Sequence, residues 1–105
     1  MKWKRLPQGY LSADGEWFLE RGAPMVGGNT NAWLIHRRVG PERVGQEDTS
    51  CFYDQRSGMP LWALDDEGFT STARPPYDGP LYAHDWDAGS LAEAKYVAET
   101  VSKEV

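Results

Sequence analysis

The residues in this chain that could do chemistry are two histidines, one cysteine and two short acidic segments. The segment His84-Asp85-Trp86-Asp87 places an imidazole close to two carboxylates, a combination that can bind a metal ion. A structural zinc site takes about four nitrogen or sulfur ligands, however, and two histidines with one cysteine are too few. We therefore interpret the segment as an acidic cap before a helix with a surface histidine, and we predict no metal site.

Cys51 is a candidate nucleophile if one of the two histidines lies beside it as a base. The adjacent Phe52 and Tyr53 favour instead a strand in which the thiol is a small buried hydrophobic group. The acidic segment 65–68 lacks the alternating ligand spacing of a calcium loop and is more typical of a solvated turn. The sequence thus predicts no catalytic residue, no cofactor and no enzyme.

Any such site must be positioned by strands, and tryptophans mark several of them. Trp17, Trp33 and Trp62 each begin the frame tryptophan, any residue, leucine or isoleucine, which is the period of a strand with one apolar face. The strand around Trp33 is expected over residues 32–37. Because the interval from Trp33 to Trp62 is about twice the preceding one, a strand without tryptophan is expected between them, at residues 51–54.

Turn residues predict how these strands connect. Asp14-Gly15 separates segments 10–13 and 16–21 and predicts a β-hairpin, because these residues tolerate the positive φ of a tight turn. A second hairpin is expected between segments 51–54 and 61–64. Irregular connections are expected at residues 22–31, 40–50 and 69–80.

The C-terminal residues predict one helix over 91–103. Ser90 and Glu93 form a capping box, in which the Ser90 hydroxyl accepts from the Glu93 N–H and the Glu93 carboxylate accepts from the Ser90 N–H. Apolar residues recur at three- and four-residue spacing and form one stripe: Leu91, Ala94, Val97, Ala98, Val101 and Val105. The predicted fold is α+β, an antiparallel sheet of about four or five strands with this helix packed on it, in a single domain spanning residues 1–105.

Composition narrows the class of protein. The chain is 40% hydrophobic and 26% charged, as in a globular domain rather than a disordered chain. Its net charge of −5 is uneven, because residues 1–50 hold seven Lys or Arg against six Asp or Glu, whereas residues 51–105 hold four against ten. Acidic surfaces repel phosphate backbones. The absence of a long apolar run and the single cysteine predict a cytoplasmic protein with no membrane segment.

Several sequence features together resemble the small uncharacterised proteins of actinobacterial phages. They are a tryptophan-and-lysine start, Gly9-Tyr10, the Ser-x-Asp-Gly-x-Trp segment 12–17, a further tryptophan strand and the Ser-Leu-Ala-Glu-Ala-Lys segment 90–95. The resemblance covers about half of the chain and consists of fold signals. It implies a phage-encoded protein made in the cytoplasm of a bacterial host, and it assigns no active residue.

Exposed aromatic rings are the remaining functional signal. A single helix covers one face of a sheet, so some tryptophans are expected on an interaction surface with nearby arginines. The residues that we assign to this surface are Trp3, Trp33, Arg37, Arg38 and Trp86. The sequence favours a small interaction protein that binds a protein partner, either a host protein or a second copy in a homodimer, and the alternative is a nucleic-acid-binding module with a sheet and one helix.

Overall fold

Nine strands, one short 3-10 helix and one α-helix form in the part of the chain that the computed structural model describes, residues 1–24, 31–46, 51–65, 68–70, 73–74 and 77–103. The strands are β1 (Trp3–Leu6), β2 (Gly9–Ser12), β3 (Trp17–Pro24), β4 (Asn31–Arg38), β5 (Val44–Gln46), β6 (Phe52–Asp54), β7 (Trp62–Asp65), β8 (Gly68–Thr70) and β9 (Leu81–Ala88). The 3-10 helix is Pro41–Arg43 and the α-helix, α1, is Leu91–Lys103.

The main sheet has more strands than the sequence predicted. Seven strands are hydrogen bonded in the order β1-β2-β3-β4-β9-β7-β8, and β5 pairs with β6 separately. The predicted α+β class, an antiparallel sheet with one C-terminal helix, is confirmed, whereas the predicted number of four or five strands is wrong. The extra strands are short or rich in charge, and their pairing with neighbours outweighs their weak intrinsic preference for strand structure.

The unpredicted strands lie at particular places in the sequence. β1 lies at the basic N-terminus, β5 in the expected polar loop 40–50, and β8 at the start of the expected irregular segment 69–80. β9 contains the His84–Asp87 segment, which is therefore a strand and not a helix cap. β3 also continues to Pro24, into the segment 22–31 that we expected to be irregular.

The residues group into two compact units. The first contains Met1–His36 and His84–Val105, and the second contains Arg37–Ala83. The assignment of residues 1–105 to one domain remains a prediction.

The first hairpin of the first unit is organised by a serine and an aspartate. β2 and β3 pair as predicted, and the turn between them has Gly15 at φ +77°. The Ser12 hydroxyl donates to Asp14 Oδ1 at 2.6 Å and accepts from the Trp17 N–H at 2.9 Å. Asp14 Oδ1 also accepts from the Glu16 N–H at 3.0 Å. Short polar side chains thus satisfy the turn's backbone donors and fix the register that buries Trp17.

Gly9 allows β2 to lie close to β3. A Cβ atom at Gly9 would collide with the Leu19 carbonyl oxygen on β3. Only glycine allows this close backbone approach. β1 then pairs antiparallel with β2 along its full length, from Trp3 opposite Ser12 to Leu6 opposite Gly9.

The helix α1 begins and ends near the predicted residues. The Ser90 hydroxyl accepts from the Glu93 N–H at 3.1 Å, as the capping box predicts, but the Glu93 carboxylate accepts from the Gly89 N–H at 3.3 Å instead of from Ser90. Ala94 and Ala98 are fully buried on the helix. The predicted apolar stripe therefore faces the core over residues 91–101, and its small alanines bring the helix close to the sheet. Val105 lies outside the described residues.

The core of the first unit combines alternate residues of β3, β4 and β9 with the buried helix alanines. Its buried members are Trp17, Leu19, Trp33, Ile35, Ala88, Ala94 and Ala98. The Trp17 indole N–H donates to the Ser102 hydroxyl in the last turn of α1 at 2.8 Å. This hydrogen bond gives the buried indole the acceptor that it requires and links the sheet to the helix.

The second unit has its own core and a buried ion pair. The core residues are Phe52, Leu61, Ala63, Ala73 and Ala83. Arg43 binds the Asp54 carboxylate through Nε at 3.0 Å and Nη2 at 2.7 Å, and the Ser57 hydroxyl donates to Asp54 Oδ2 at 2.9 Å. Asp54 is only 2% exposed. The hydrogen bonds from Arg43 lower the pKa of Asp54 from 3.8 to about 2.

The second predicted hairpin is present over residues 52–61, where the Leu61 N–H donates to the Phe52 carbonyl at 3.0 Å. Tyr53 and Pro60 form an isolated antiparallel bridge, and the Asp54 N–H donates to the Met59 carbonyl at 2.8 Å. Beyond this turn the chain separates, because β6 pairs with β5 whereas β7 pairs with β8 and β9.

The low pKa of Asp54 predicts acid sensitivity. An unfolded aspartate takes up its proton near pH 3.8, whereas the folded carboxylate resists protonation until about pH 2. Asp54 therefore stabilises the fold above pH 4, and this contribution, about 2 kcal/mol, should be lost as the pH falls from 4 towards 2. Urea denaturation across this range measures it.

Asp54→Asn should lower the free energy of unfolding at pH 7 and remove this part of the pH dependence. Asp78→Asn is the matched control, since Asp78 is an exposed carboxylate in the same unit. An unchanged acid profile in Asp54→Asn would contradict the role given to the Arg43 pair.

Candidate functional site

The five residues that the sequence assigned to an interaction surface occupy different environments. Trp33 is 7% exposed and belongs to the core of the first unit. Trp3 and Trp86 are partly buried and pack against that core. Arg37 is half-buried and Arg38 is exposed, and both belong to the second unit. Trp33 therefore offers no open ring to a partner, and the functional role of the five residues remains a prediction.

A different set of cations surrounds the aromatic rings of the first unit. The Arg21 guanidinium lies over the Trp33 ring at 5.5 Å from its centroid, and the Lys95 ammonium lies over the Tyr10 ring at 4.9 Å. The Tyr10 and Trp33 rings are 6.1 Å apart. Arg5 is directly opposite Tyr10 in the β1–β2 register, so its side chain is on the same face of the sheet. We call Arg5, Arg21 and Lys95, with these two rings, the cationic patch.

The sheet register places the cationic patch at the rim of the core. Leu19 on β3 is buried in the core, and Arg21 is two residues further along the same face, where the strand becomes exposed. Lys95 is on α1, next to the buried Ala94 and partly buried itself. The charged groups of Arg21 and Lys95 thus lie over the rings themselves, at the edge of the core.

The charges of the patch have no carboxylate partner among the described residues. Arg5, Arg21 and Lys95 form no salt bridge there. The acidic residues nearby in the fold have other partners, since Glu20 contacts His36 and Glu99 contacts the Met1 amino group at 3.2 Å. Three uncompensated cations therefore lie together on a chain whose net charge is −5.

The arrangement presents positive charge rather than open aromatic surface. Trp33 is buried and capped by Arg21, and the half-buried Tyr10 is covered by Lys95. A nucleobase needs an accessible ring face for stacking. The patch thus suits an anionic group that binds by ion pairs and hydrogen bonds to guanidinium and ammonium donors.

Two histidines form the second candidate site. His36 Nε2 is 3.2 Å from Glu20 Oε1, and His84 Nε2 is 2.7 Å from Asp87 Oδ1. The two imidazole rings are 5.4 Å apart. Within the described residues no group of three or more His, Cys, Asp or Glu side chains is arranged to hold a metal ion.

His36 is positioned for packing and not for reaction with a solute. Its side chain is completely buried, and burial lowers its pKa below the usual 6.5, although the hydrogen bond to Glu20 opposes this effect. An acid–base catalyst must reach the proton that it transfers, which a buried ring does not. Cys51, which the sequence offered as a candidate nucleophile, is half-buried and belongs to the second unit. His36 and His84 belong to the first unit, where their rings contact each other.

An open depression of about 420 Å³ in the first unit is a weaker candidate. It is lined by Ala32, Asp87, Ala88, Gly89 and Glu93. Both carboxylates already have partners, because Asp87 contacts His84 and Glu93 accepts from the Gly89 N–H. The depression therefore has no free acidic group for a ligand. The acidic segment 65–68, proposed above as a solvated turn, includes residues 66 and 67, which lie outside the described residues.

The sequence did not predict the cationic patch because its members are far apart along the chain. Arg5, Tyr10, Arg21, Trp33 and Lys95 meet only through the strand register and the position of the helix. One signal was present in the sequence, however. Arg21 is two residues after Leu19 on a predicted strand, and Lys95 directly follows Ala94 on the predicted helix.

The buried His36 predicts a second pH effect. In the unfolded chain this histidine takes up a proton near pH 6.5, whereas the folded protein resists protonation. The unfolded state therefore binds more protons, and stability should decrease as the pH falls below 6.5, by at most about 1.4 kcal/mol per pH unit. Urea denaturation between pH 5 and 8 measures this slope.

His36→Gln should flatten the profile over this range, whereas Asp78→Asn, a change at an exposed side chain of the second unit, should leave it unchanged. Parallel profiles for the wild type and His36→Gln would show that another group causes the slope.

No protein-family model, curated protein or solved structure matches this chain. No helix in the described residues is long and apolar enough to cross a membrane. The resemblance to actinobacterial phage proteins remains a prediction, so the functional argument rests on the geometry of the molecule.

Proposed function

We propose that this chain is a small non-catalytic binding protein whose cationic patch binds an acidic segment of a partner protein. The observation that supports the proposal is the convergence of Arg5, Arg21 and Lys95 around Tyr10 and Trp33, without a carboxylate partner among the described residues. The proposal keeps the predicted protein partner and replaces an open aromatic patch by a cationic surface with an aromatic base.

Carboxylates suit this surface for a geometric reason. Arg21 lies over an indole ring, and its planar guanidinium carries donors suited to bidentate contact with a carboxylate. Lys95 is similarly held over Tyr10. Because the side chains are already ordered by their ring contacts, binding sacrifices less conformational entropy than it would with free side chains.

The net charge of −5 does not oppose this function. Solvent-exposed charges separated by more than about 8 Å are largely screened at physiological salt, so an approaching acidic segment responds mainly to the cations nearest to it. The acidic remainder of the surface limits non-specific binding to nucleic acid.

Several observations favour binding over catalysis. The imidazole of His36 is buried beneath the surface, and the carboxylates of the open depression are engaged within the protein. We place the protein in the bacterial cytoplasm, encoded by a phage, with a host protein as its partner. A second copy of the chain is the alternative protein partner.

The nucleic-acid-binding alternative shares the need for cations. It is less well supported, because the rings that would stack bases are buried or covered. We expect no measurable affinity for duplex DNA at physiological salt.

A labelled glutamate-rich peptide tests the proposal by fluorescence anisotropy at low and physiological salt. The double change Arg21→Ser/Lys95→Ser should weaken binding about tenfold at low salt, because two rim ion pairs each contribute up to about 1 kcal/mol. Lys103→Ser is the matched control, since Lys103 is an exposed lysine of α1 that lies outside the patch.

Equal affinity of the double variant and the wild type would contradict the proposal. The nucleic-acid alternative would be favoured if the protein bound single-stranded DNA more tightly than the peptide at the same salt and if the double variant lost this binding.

A further inference from the structure

β1 ends the main sheet and has a neighbour on only one side among the described residues. Its hydrogen-bond pattern follows from one contact, in which the Ala13 N–H donates to the Lys2 carbonyl at 2.9 Å. This contact makes Lys2 and Ala13 a hydrogen-bonded pair. Hydrogen-bonded and non-hydrogen-bonded pairs alternate along an antiparallel ladder. The backbones of Lys4 and Leu6 therefore also bond to β2.

By the same alternation, the N–H and C=O groups of Trp3 and Arg5 point away from β2, towards the open edge. The next strand pair agrees with this assignment. The Arg21 N–H donates to the Gln8 carbonyl at 3.1 Å, so Gln8 and Arg21 are a hydrogen-bonded pair. Tyr10 is two residues after Gln8 on β2, and its backbone therefore also bonds to β3. Arg5, which is opposite Tyr10, is thus left without a backbone partner on β2. Four backbone groups of β1 are thus directed outward.

The side chains along this edge are cationic. Lys2, Lys4 and Arg5 are exposed and form no salt bridge with described residues. Arg5 is on the face of the sheet that carries the cationic patch, and Lys2 and Lys4 are on the opposite face because successive residues alternate. A strand placed beside β1 would therefore meet positive charge on both of its faces.

We propose that the partner's acidic segment binds as an added β-strand, hydrogen bonded to Trp3 and Arg5 on the open edge of β1. The inference rests on the proposed function, because Arg5 belongs both to the cationic patch and to the open edge, so that a segment paired with β1 reaches the patch through Arg5. Backbone hydrogen bonds hold the segment in an extended conformation, while carboxylates opposite Lys2, Lys4 and Arg5 provide selectivity. Apolar side chains are preferred beside Trp3.

A second copy of the chain is a poorer occupant. Two β1 strands related by a two-fold axis would place Lys4 opposite Lys4, Lys2 opposite Lys4, or Arg5 opposite Arg5, depending on the register. Like charges directly opposite each other destabilise strand pairing. The same lysines that attract an acidic strand thus protect the edge from pairing with itself.

The test uses two synthetic glutamate-rich peptides, each with a single valine, that differ only in N-methylation of every central backbone amide. N-methylation removes the donors and blocks both edges of the peptide, but it preserves charge and side chains. Titration calorimetry against the wild-type protein should show at least about tenfold weaker binding of the methylated peptide, because the strand hydrogen bonds are lost. A lysine–valine peptide should not bind.

Two protein variants provide an independent test from the other side of the contact. Arg5→Ser removes the charge, and Arg5→Pro removes the charge together with an N–H that points outward, so both should fold. Arg5→Pro should bind the unmodified peptide at least fivefold more weakly than Arg5→Ser, an expected loss of about one hydrogen bond. Lys4→Pro, which removes a bond to β2, should lower the thermal unfolding temperature more than Arg5→Pro does.

The outcomes separate this inference from the proposed function. If both peptides bind the wild type equally and neither binds Arg21→Ser/Lys95→Ser, strand addition is overturned. The proposal that the cationic patch binds an acidic segment would then still stand. Failure of both peptides to bind would overturn both proposals. Sedimentation equilibrium that shows a dimer of the wild type, lost in Arg5→Pro, would assign the edge to a second copy and overturn the acidic occupant.

Discussion

The burial of Trp17 is the interaction on which the first unit depends. Its backbone N–H is held by the Ser12 hydroxyl in the hairpin turn, and its indole N–H donates to Ser102 at the end of α1. Its ring also contacts Trp86 on β9. A single side chain therefore joins the first hairpin, the C-terminal helix and the strand that precedes it. Because a buried indole without an acceptor is unfavourable, the position of the helix and the register of the hairpin are stabilised together.

The functional surface is a consequence of this packing. With the end of the helix linked to Trp17, buried alanines fill the space between α1 and the sheet, and longer residues such as Arg21 and Lys95 are placed where the contact ends. Their stems complete the apolar layer and their charged groups remain outside it. The core and the cationic patch therefore share the rings of Tyr10 and Trp33, and a substitution at either ring affects stability and binding together.

Local signals in the sequence predicted the elements that local interactions stabilise. The Asp14-Gly15 turn and the Ser90 cap form from neighbouring residues, so they were found. β9 was missed because Asp85 and Asp87 disfavour strands, and the pairing that overrides this preference involves distant residues. The burial of Trp33 was missed for a related reason. Trp33 was expected to be accessible, but the register and the helix bury it beneath cations that no local pattern connects to it.

The pair formed by Trp17 and Trp86 also has an optical consequence. Their ring centroids are 5.6 Å apart and their planes are inclined by 38°. Two indole chromophores at this separation and inclination couple their electronic transitions, so the pair acts as a single chiral absorber. Its circular dichroism depends on the mutual orientation of β3 and β9, and it disappears when the rings separate. The molecule therefore contains an intrinsic spectroscopic reporter of tertiary packing, distinct from the far-ultraviolet signal of its strands and helix.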